Sequence, residues 1–124
     1  MLTVILIPTG SKYHQETIDS FKGIPTKVCS LTYEERFNIF VSTKWKIFMY
    51  SGEFLSNDLN LALPEFLEKG DAFDAFEIYK STPRGYSISP RLFKGNVKVH
   101  DTSLMPVEKD LKITAILDGF ILER

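Results

Sequence analysis

The chain has 124 residues, with 44% hydrophobic and 25% charged side chains and a formal net charge of −1. A globular chain of this length buries about two-thirds of its unfolded surface, so we expect one core and one domain over residues 1–124, neither disordered nor fibrous. The near-zero net charge argues against a nucleic-acid partner, whose phosphate backbone requires clustered Lys and Arg.

The first segments alternate between strand and helix patterns. Residues 2–7 form a continuous apolar run, typical of a strand buried on both faces, and a turn cluster follows at residues 8–11. A short helix is predicted over residues 14–21, with Gly23 as its stop signal. Residues 25–30 then read as a second strand. Together these elements predict a βαβ unit with parallel strands.

The next segments carry clearer helix signals. Thr32 and Glu35 have the spacing of a capping box, which predicts a helix start, and an aromatic stripe at helical spacing follows up to Val41. Residues 45–50 are predicted as the third strand. Ser56 is expected to cap a helix that begins near Asn57, and Pro64 inside that helix predicts a kink or a restart.

The pattern becomes β-rich after residue 70. We expect strands over residues 73–80, 86–94 and 97–100, and a helical turn over residues 106–109. The last predicted strand, residues 113–122, contains a tight turn or bulge at Asp118 and Gly119. The elements therefore predict an α/β fold built on a mixed sheet.

Cellular location is predicted from two features. Cys29 is the single cysteine, which favours a reducing compartment and an inert thiol. Residues 2–7 are too short to span a membrane and no basic stretch precedes them, so we expect neither a signal peptide nor an anchor. A cytoplasmic location is therefore predicted.

Four basic residues are interpreted either as a local basic strip or as a solvated strand face: Arg84, Arg91, Lys94 and Lys98.

Several segments resemble, in order, those of family-2-like glycosyltransferases of the GT-A type, which include sugar transferases of surface-polysaccharide assembly. Residues 4–9 are similar to the strand and loop that open the family's nucleotide pocket. Residues 35–38 and 45–55 resemble its Arg-Asn helix and its Asp-x-Asp-Glu turn. Residues 74–78, 90–94 and 99–101 resemble a later strand, an Arg-Leu-Phe segment and a His-acid pair. The resemblance covers about residues 2–101.

This resemblance implies a three-layer mixed sheet in a single domain, similar to a truncated GT-A nucleotide-diphospho-sugar transferase fold. It implies a nucleotide-sugar site formed by five residues: Pro8, Thr9, Arg36, Ser51 and Gly52. It also implies a Mg or Mn ion held by three further residues: Glu53, His100 and Asp101. No catalytic residue follows from it.

The chain departs from the family at the metal turn. Tyr50 and Gly52 stand where the family has two aspartates, which leaves only Glu53. In the family those acids hold a cation that bridges the donor's two phosphates. The space for a further βα unit and an acceptor segment is also missing. We therefore expect a glycosyltransferase-like, non-catalytic binding or interaction module; the alternative is a minimal active glycosyltransferase that uses a nucleotide-sugar donor and a metal at Glu53.

Three side chains keep more than one interpretation. Glu53 is either a metal ligand or an exposed acid in the first turn of a helix, where its charge suits the dipole. His100 is either a ligand or a surface side chain. A triad that includes Ser51 is disfavoured because no nucleophile elbow surrounds it.

We expect the partner to be a nucleotide sugar or another protein. The ten Phe and the apolar tail at residues 113–122 also predict a homodimer.

Overall fold

Seven strands form one curled mixed sheet in the computed structural model, which describes residues 1–30, 41–100 and 104–123. Within these ranges the strands are β1 (Leu2–Ile7), β2 (Thr26–Ser30), β3 (Trp45–Tyr50), β4 (Glu53–Leu55), β5 (Ala75–Thr82), β6 (Gly85–Lys94) and β7 (Ile113–Glu123). The described residues also contain two helices, α1 (His14–Asp19) and α2 (Asn57–Lys69), and a 3₁₀ turn that covers Gly70–Ala72. The described chain is thus a single mixed α/β domain.

The strand order explains the curl of the sheet. Across the sheet the order is β2-β1-β3-β6-β5-β7-β4. β1 is parallel to both β2 and β3, which confirms the predicted βαβ unit, whereas β6 is antiparallel to β3 and β5. β4 follows β3 after only Ser51 and Gly52, yet it pairs with β7 at the other end of the order. The sheet must therefore bend until its far end lies beside the end of β3.

Two apolar clusters cover the two faces of the sheet. Along β1, Val4 and Leu6 belong to one cluster, and Ile5 and Ile7 belong to the other, as the period of two in a strand requires. Both described helices pack on the first face, where α2 contributes Leu59 and Leu63. On the second face, Val97, Val99 and Leu104 come from the irregular segment between β6 and β7. β1 and β3 are consequently buried on both sides.

Most predicted elements are confirmed, and four predictions are corrected. α2 runs unbroken through Pro64, because the burial of its core face outweighs one missing backbone donor. Residues 53–55 form a strand instead of a helical turn. Residues 97–100 and 106–109 form neither a strand nor a helical turn; Val99 and Pro106 make only an isolated bridge. The predicted helix that begins at the capping box lies outside the described residues, apart from Val41.

Lys46 on β3 is a buried cation whose protonation opposes folding. Its side chain is 3% exposed, and Nζ donates hydrogen bonds to the carbonyl oxygens of Gly95 and Val97. Burial lowers the pKa of Lys46 from 10.5 to about 8. The folded chain therefore binds this proton less tightly than the unfolded chain, and the stability contribution of Lys46 rises as the pH goes from 8 to 10.5.

We expect the free energy of unfolding to increase by up to about 3 kcal/mol across this pH window through Lys46 alone. In Lys46→Met the increase should be absent. Urea denaturation of both proteins at several values between about pH 7.5 and about pH 10 measures the difference, and groups that titrate in both proteins cancel from it. Equal pH slopes in the two proteins would contradict the assignment.

Candidate functional site

The loop after β1 and the turn after β3 lie side by side at one edge of the sheet. Because β1 and β3 are parallel, their carboxyl ends meet there, the place where α/β sheets bind ligands. The Thr9 hydroxyl donates a hydrogen bond to the Ser51 carbonyl oxygen at 2.9 Å, and the Ser51 amide donates to the Ile7 carbonyl oxygen at 3.0 Å. We call this edge, formed by Pro8, Thr9, Ser51 and Gly52, the rim.

Helix α1 supports the rim from one side. The Gly52 amide donates to the Thr17 hydroxyl at 2.9 Å, and Thr17 is fully buried. The His14 Nδ1 and Ser51 Oγ atoms lie 3.2 Å apart. Gly52 has a φ of +96°, a conformation that favours glycine. The turn therefore has a fixed shape that an aspartate at this position would strain.

The structure brings together four of the five residues predicted to bind a nucleotide sugar. Pro8 and Thr9 are exposed, whereas Ser51 and Gly52 are buried beneath them. Arg36 lies outside the described residues. Neither His14 nor Thr17 was predicted to belong to the site, although both follow the turn cluster at residues 8–11 within a few positions.

Glu53 has a different environment from both of its predicted ones. Its side chain is completely buried in β4 and accepts four hydrogen bonds. Oε1 accepts from the Tyr50 amide and from Arg91 Nη1, each at 2.7 Å. Oε2 accepts from Arg91 Nη2 at 2.8 Å and from Lys80 Nζ at 2.7 Å. Each oxygen has two acceptor positions, so all four are occupied.

A bulge in β6 delivers Arg91 to this carboxylate. Phe76 pairs with Leu92 and Glu77 pairs with Pro90, so Arg91 is the extra residue on its strand. Its Nη1 atom also donates to the Phe48 carbonyl oxygen at 3.1 Å, at the point where β6 leaves β3. The guanidinium group lies 5.3 Å from the centre of the Tyr50 ring. Arg91 therefore fills the gap opened by the curl of the sheet.

Charges alternate through this part of the interior. Lys80 contacts Glu53 and also binds the half-exposed Glu123 at 2.9 Å. We call Glu53, Arg91, Lys80 and Glu123 the ionic cluster; it joins β4, β6, β5 and β7. Burial raises the pKa of Glu53. The hydrogen bonds and the charge of Arg91, together with the hydrogen bonds from Lys80 and the Tyr50 amide, lower it by a larger amount, so the pKa of Glu53 lies below its usual value.

These contacts decide how Glu53 is interpreted. The prediction of an exposed acid in a helical turn is wrong, because Glu53 is buried in a strand. As a metal ligand, Glu53 has no free acceptor position and faces two cations, so its environment does not fit a divalent ion. His100 is exposed, and Asp101 lies outside the described residues. In the described ranges no three His, Cys, Asp or Glu side chains form a group that could hold a metal.

Two of the four residues of the predicted basic strip, Arg91 and Lys94, bind groups within the chain, whereas Arg84 and Lys98 are exposed. Arg91 is 5% exposed inside the ionic cluster. Lys94 donates to the Asp71 carbonyl oxygen at 2.9 Å and lies 3.7 Å from the Asp74 carboxylate. The solvated-face interpretation is therefore wrong for Arg91, whose role is structural.

Comparisons with known proteins leave the family open. A scan against protein-family models finds no matching family, and a search of curated proteins finds no matching relative. In the part of the chain that the structure describes, neither helix is long and apolar enough to cross a membrane.

Proposed function

We propose that the chain is a glycosyltransferase-like domain of truncated GT-A type that acts in the cytoplasm as a non-catalytic binding or interaction module. Two observations support its relation to nucleotide-sugar-binding folds. The sheet is mixed, with β1 parallel to its two neighbours, and the rim gathers Thr9 and Ser51 where such sheets bind ligands.

The proposal that the module is non-catalytic rests on the hydrogen bonds of Glu53. Transfer from a nucleotide sugar develops negative charge on the departing diphosphate, which needs a preorganised counter-charge. Glu53 is the one acid that remains at the turn, and its four acceptor positions are bound by Tyr50, Arg91 and Lys80. Recruiting a metal there would leave Arg91 buried without its partner, which costs several kcal/mol.

A second candidate function is a minimal active transferase. The convergence of Pro8, Thr9, Ser51 and Gly52 favours it, because these residues match the predicted nucleotide-sugar site. In that case the rim would line the nucleotide and Arg36 would contact a phosphate. Thr9 is exposed and its hydroxyl donates to the Ser51 carbonyl oxygen, so this side chain can meet such a ligand as a hydrogen-bond acceptor.

Calorimetry with UDP, GDP and their sugar derivatives, with and without manganese, separates the two functions. For a non-catalytic module we expect no saturable binding that depends on manganese and no release of the nucleoside diphosphate. In NMR spectra of the ¹⁵N-labelled protein, chemical-shift changes of the Thr9 and Ser51 amides on addition of these nucleotides without metal would identify the rim as a metal-independent binding site. Thr9→Val should weaken any such binding, whereas Ser87→Ala on the exposed part of β6 serves as the control.

Manganese-dependent binding accompanied by sugar transfer would overturn the non-catalytic proposal in favour of the active transferase. The same titration with Thr9→Val then reports whether the donor occupies the rim.

A further inference from the structure

A groove of about 550 Å³ lies between α2 and β7, within the size range of ligand pockets. Leu61 from α2 and Leu117 from β7 line it, and their exposed fractions are 78% and 75%. Single exposed leucines are ordinary, but here two of them line one groove together with two aspartates, so the groove offers apolar and acidic contacts side by side.

The fold does not need either leucine. On α2 the fully buried positions are Leu59 and Leu63, and Leu61 lies two residues from each, on the opposite side of the helix. In the pairing of β7 with β5, Ile116 lies opposite Ile78 and Ile121 lies opposite Lys80. Four residues of β7, 117–120, therefore stand opposite a single residue of β5. They form a large bulge that holds Leu117 away from the core.

The bulge is fixed before any partner arrives. The Phe120 amide donates to Ser56 Oγ at 3.0 Å, and the Ser56 amide donates to the Phe120 carbonyl oxygen at 2.9 Å. The same hydroxyl accepts from the Leu59 amide and so caps α2. The Phe120 ring stacks on Tyr86 with their centres 5.1 Å apart. A groove held in this way loses little conformational freedom on binding.

Charge selects the kind of partner. Asp58 and Asp118 line the groove beside the leucines, and both are exposed. Neither carboxylate has a cationic partner among the described residues. Two copies related by a twofold axis would bring these acidic borders together, which disfavours self-pairing.

We propose that this groove docks a basic, apolar segment of a partner protein. An apolar side chain of the segment would lie between Leu61 and Leu117, and flanking Lys or Arg residues would pair with Asp58 and Asp118. The groove uses no residue of the rim or of the ionic cluster, so docking does not depend on whether the chain binds a nucleotide sugar.

Two synthetic peptides of equal length test the groove on the full chain, one alternating Lys and Leu and the other alternating Glu and Leu. In ¹⁵N-labelled protein the Lys-Leu peptide should shift the amides of residues 58–62 and 117–120, and the Glu-Leu peptide should not. Leu61→Ser and Leu117→Ser should each weaken the binding about tenfold. Because both leucines are exposed, these variants should fold normally; Val107→Ser, at an apolar position 45% exposed outside the groove, is the matched control.

The double variant Asp58→Lys, Asp118→Lys should reverse the preference, so that the Glu-Leu peptide binds more tightly. Three results would overturn the proposal: the absence of shifts at the groove amides, unchanged affinity in both serine variants, or a basic preference that survives the charge reversal. A wild-type dimer in sedimentation that dissociates in Leu117→Ser would also overturn it, since the groove would then be the interface between two copies.

Discussion

Glu53→Gln is expected to lower the free energy of unfolding by about 3–5 kcal/mol, because it leaves buried cations without their carboxylate. Arg91 is 5% exposed and loses both of its charged hydrogen bonds to Oε1 and Oε2. Lys80 keeps Glu123 as a partner, so the larger part of the loss comes from Arg91. Urea denaturation followed by circular dichroism measures the change.

Glu65→Gln is the matched control for the same chemical change. Glu65 forms an exposed i,i+4 pair with Lys69 at 3.6 Å, and its loss should cost less than about 0.5 kcal/mol. The comparison also tests the role of Glu53 as a metal ligand, because removal of a carboxylate from an empty metal site should not destabilise the metal-free protein. Equal stabilities for Glu53→Gln and Glu65→Gln would show that the ionic cluster does not hold the strands together.

The direction in which acid changes the stability difference between the wild type and Glu53→Gln follows from the pKa of Glu53. The pKa of Glu53 lies below its usual 4.5 in the folded state, so its contribution is present above pH 4.5 and is lost as the pH falls through the folded value. The gap in stability between the wild type and Glu53→Gln should therefore be constant near neutral pH and shrink in acid. A gap that widens in acid would reverse the assigned direction of the pKa.

Much of the sheet could be predicted because local patterns decide it. The apolar run of β1 indicates burial on both faces, and the structure confirms Leu2–Ile7 without a shift in bounds. Ser56 caps α2 as expected, since a side-chain oxygen before an apolar helix satisfies a free amide. The signals for β1 and for the cap depend on residues that are close together in sequence. The rim residues were predicted from the resemblance alone, and their position agrees with the rule that parallel strands present their carboxyl ends at one edge.

The environment of Glu53 could not be predicted because distant residues create it. β4 has three residues, too few to show an alternating pattern, and its partner β7 lies near the other end of the chain. Arg91 is 38 positions away and reaches Glu53 only through a bulge that shifts the register of β6. Nor does the sequence indicate that the sheet curls enough to enclose a carboxylate. The burial of this acid is a property of the tertiary fold.

Gly119→Ala is the second substitution with a large expected effect, because it combines backbone strain with a collision. Gly119 has a φ of +97°, which costs an alanine about 1–2 kcal/mol. A Cβ atom built at this position would lie 2.5 Å from both the Leu59 amide nitrogen and Ser56 Oγ. Neither atom can move without opening the helix cap, so we expect a further loss of about 1–3 kcal/mol.

Gly23→Ala isolates the collision from the strain. Gly23 has a φ of +82°, and a Cβ atom there would meet nothing within 4 Å. This control should therefore cost only the backbone strain, and the difference between the two variants measures the contact of the β7 bulge with α2. Hydrogen exchange of the Leu59 amide should accelerate in Gly119→Ala alone, because its acceptor Ser56 Oγ is displaced. If the two variants lose equal stability and leave this amide equally protected, the bulge does not pack against the cap, and the groove that depends on it is not preformed.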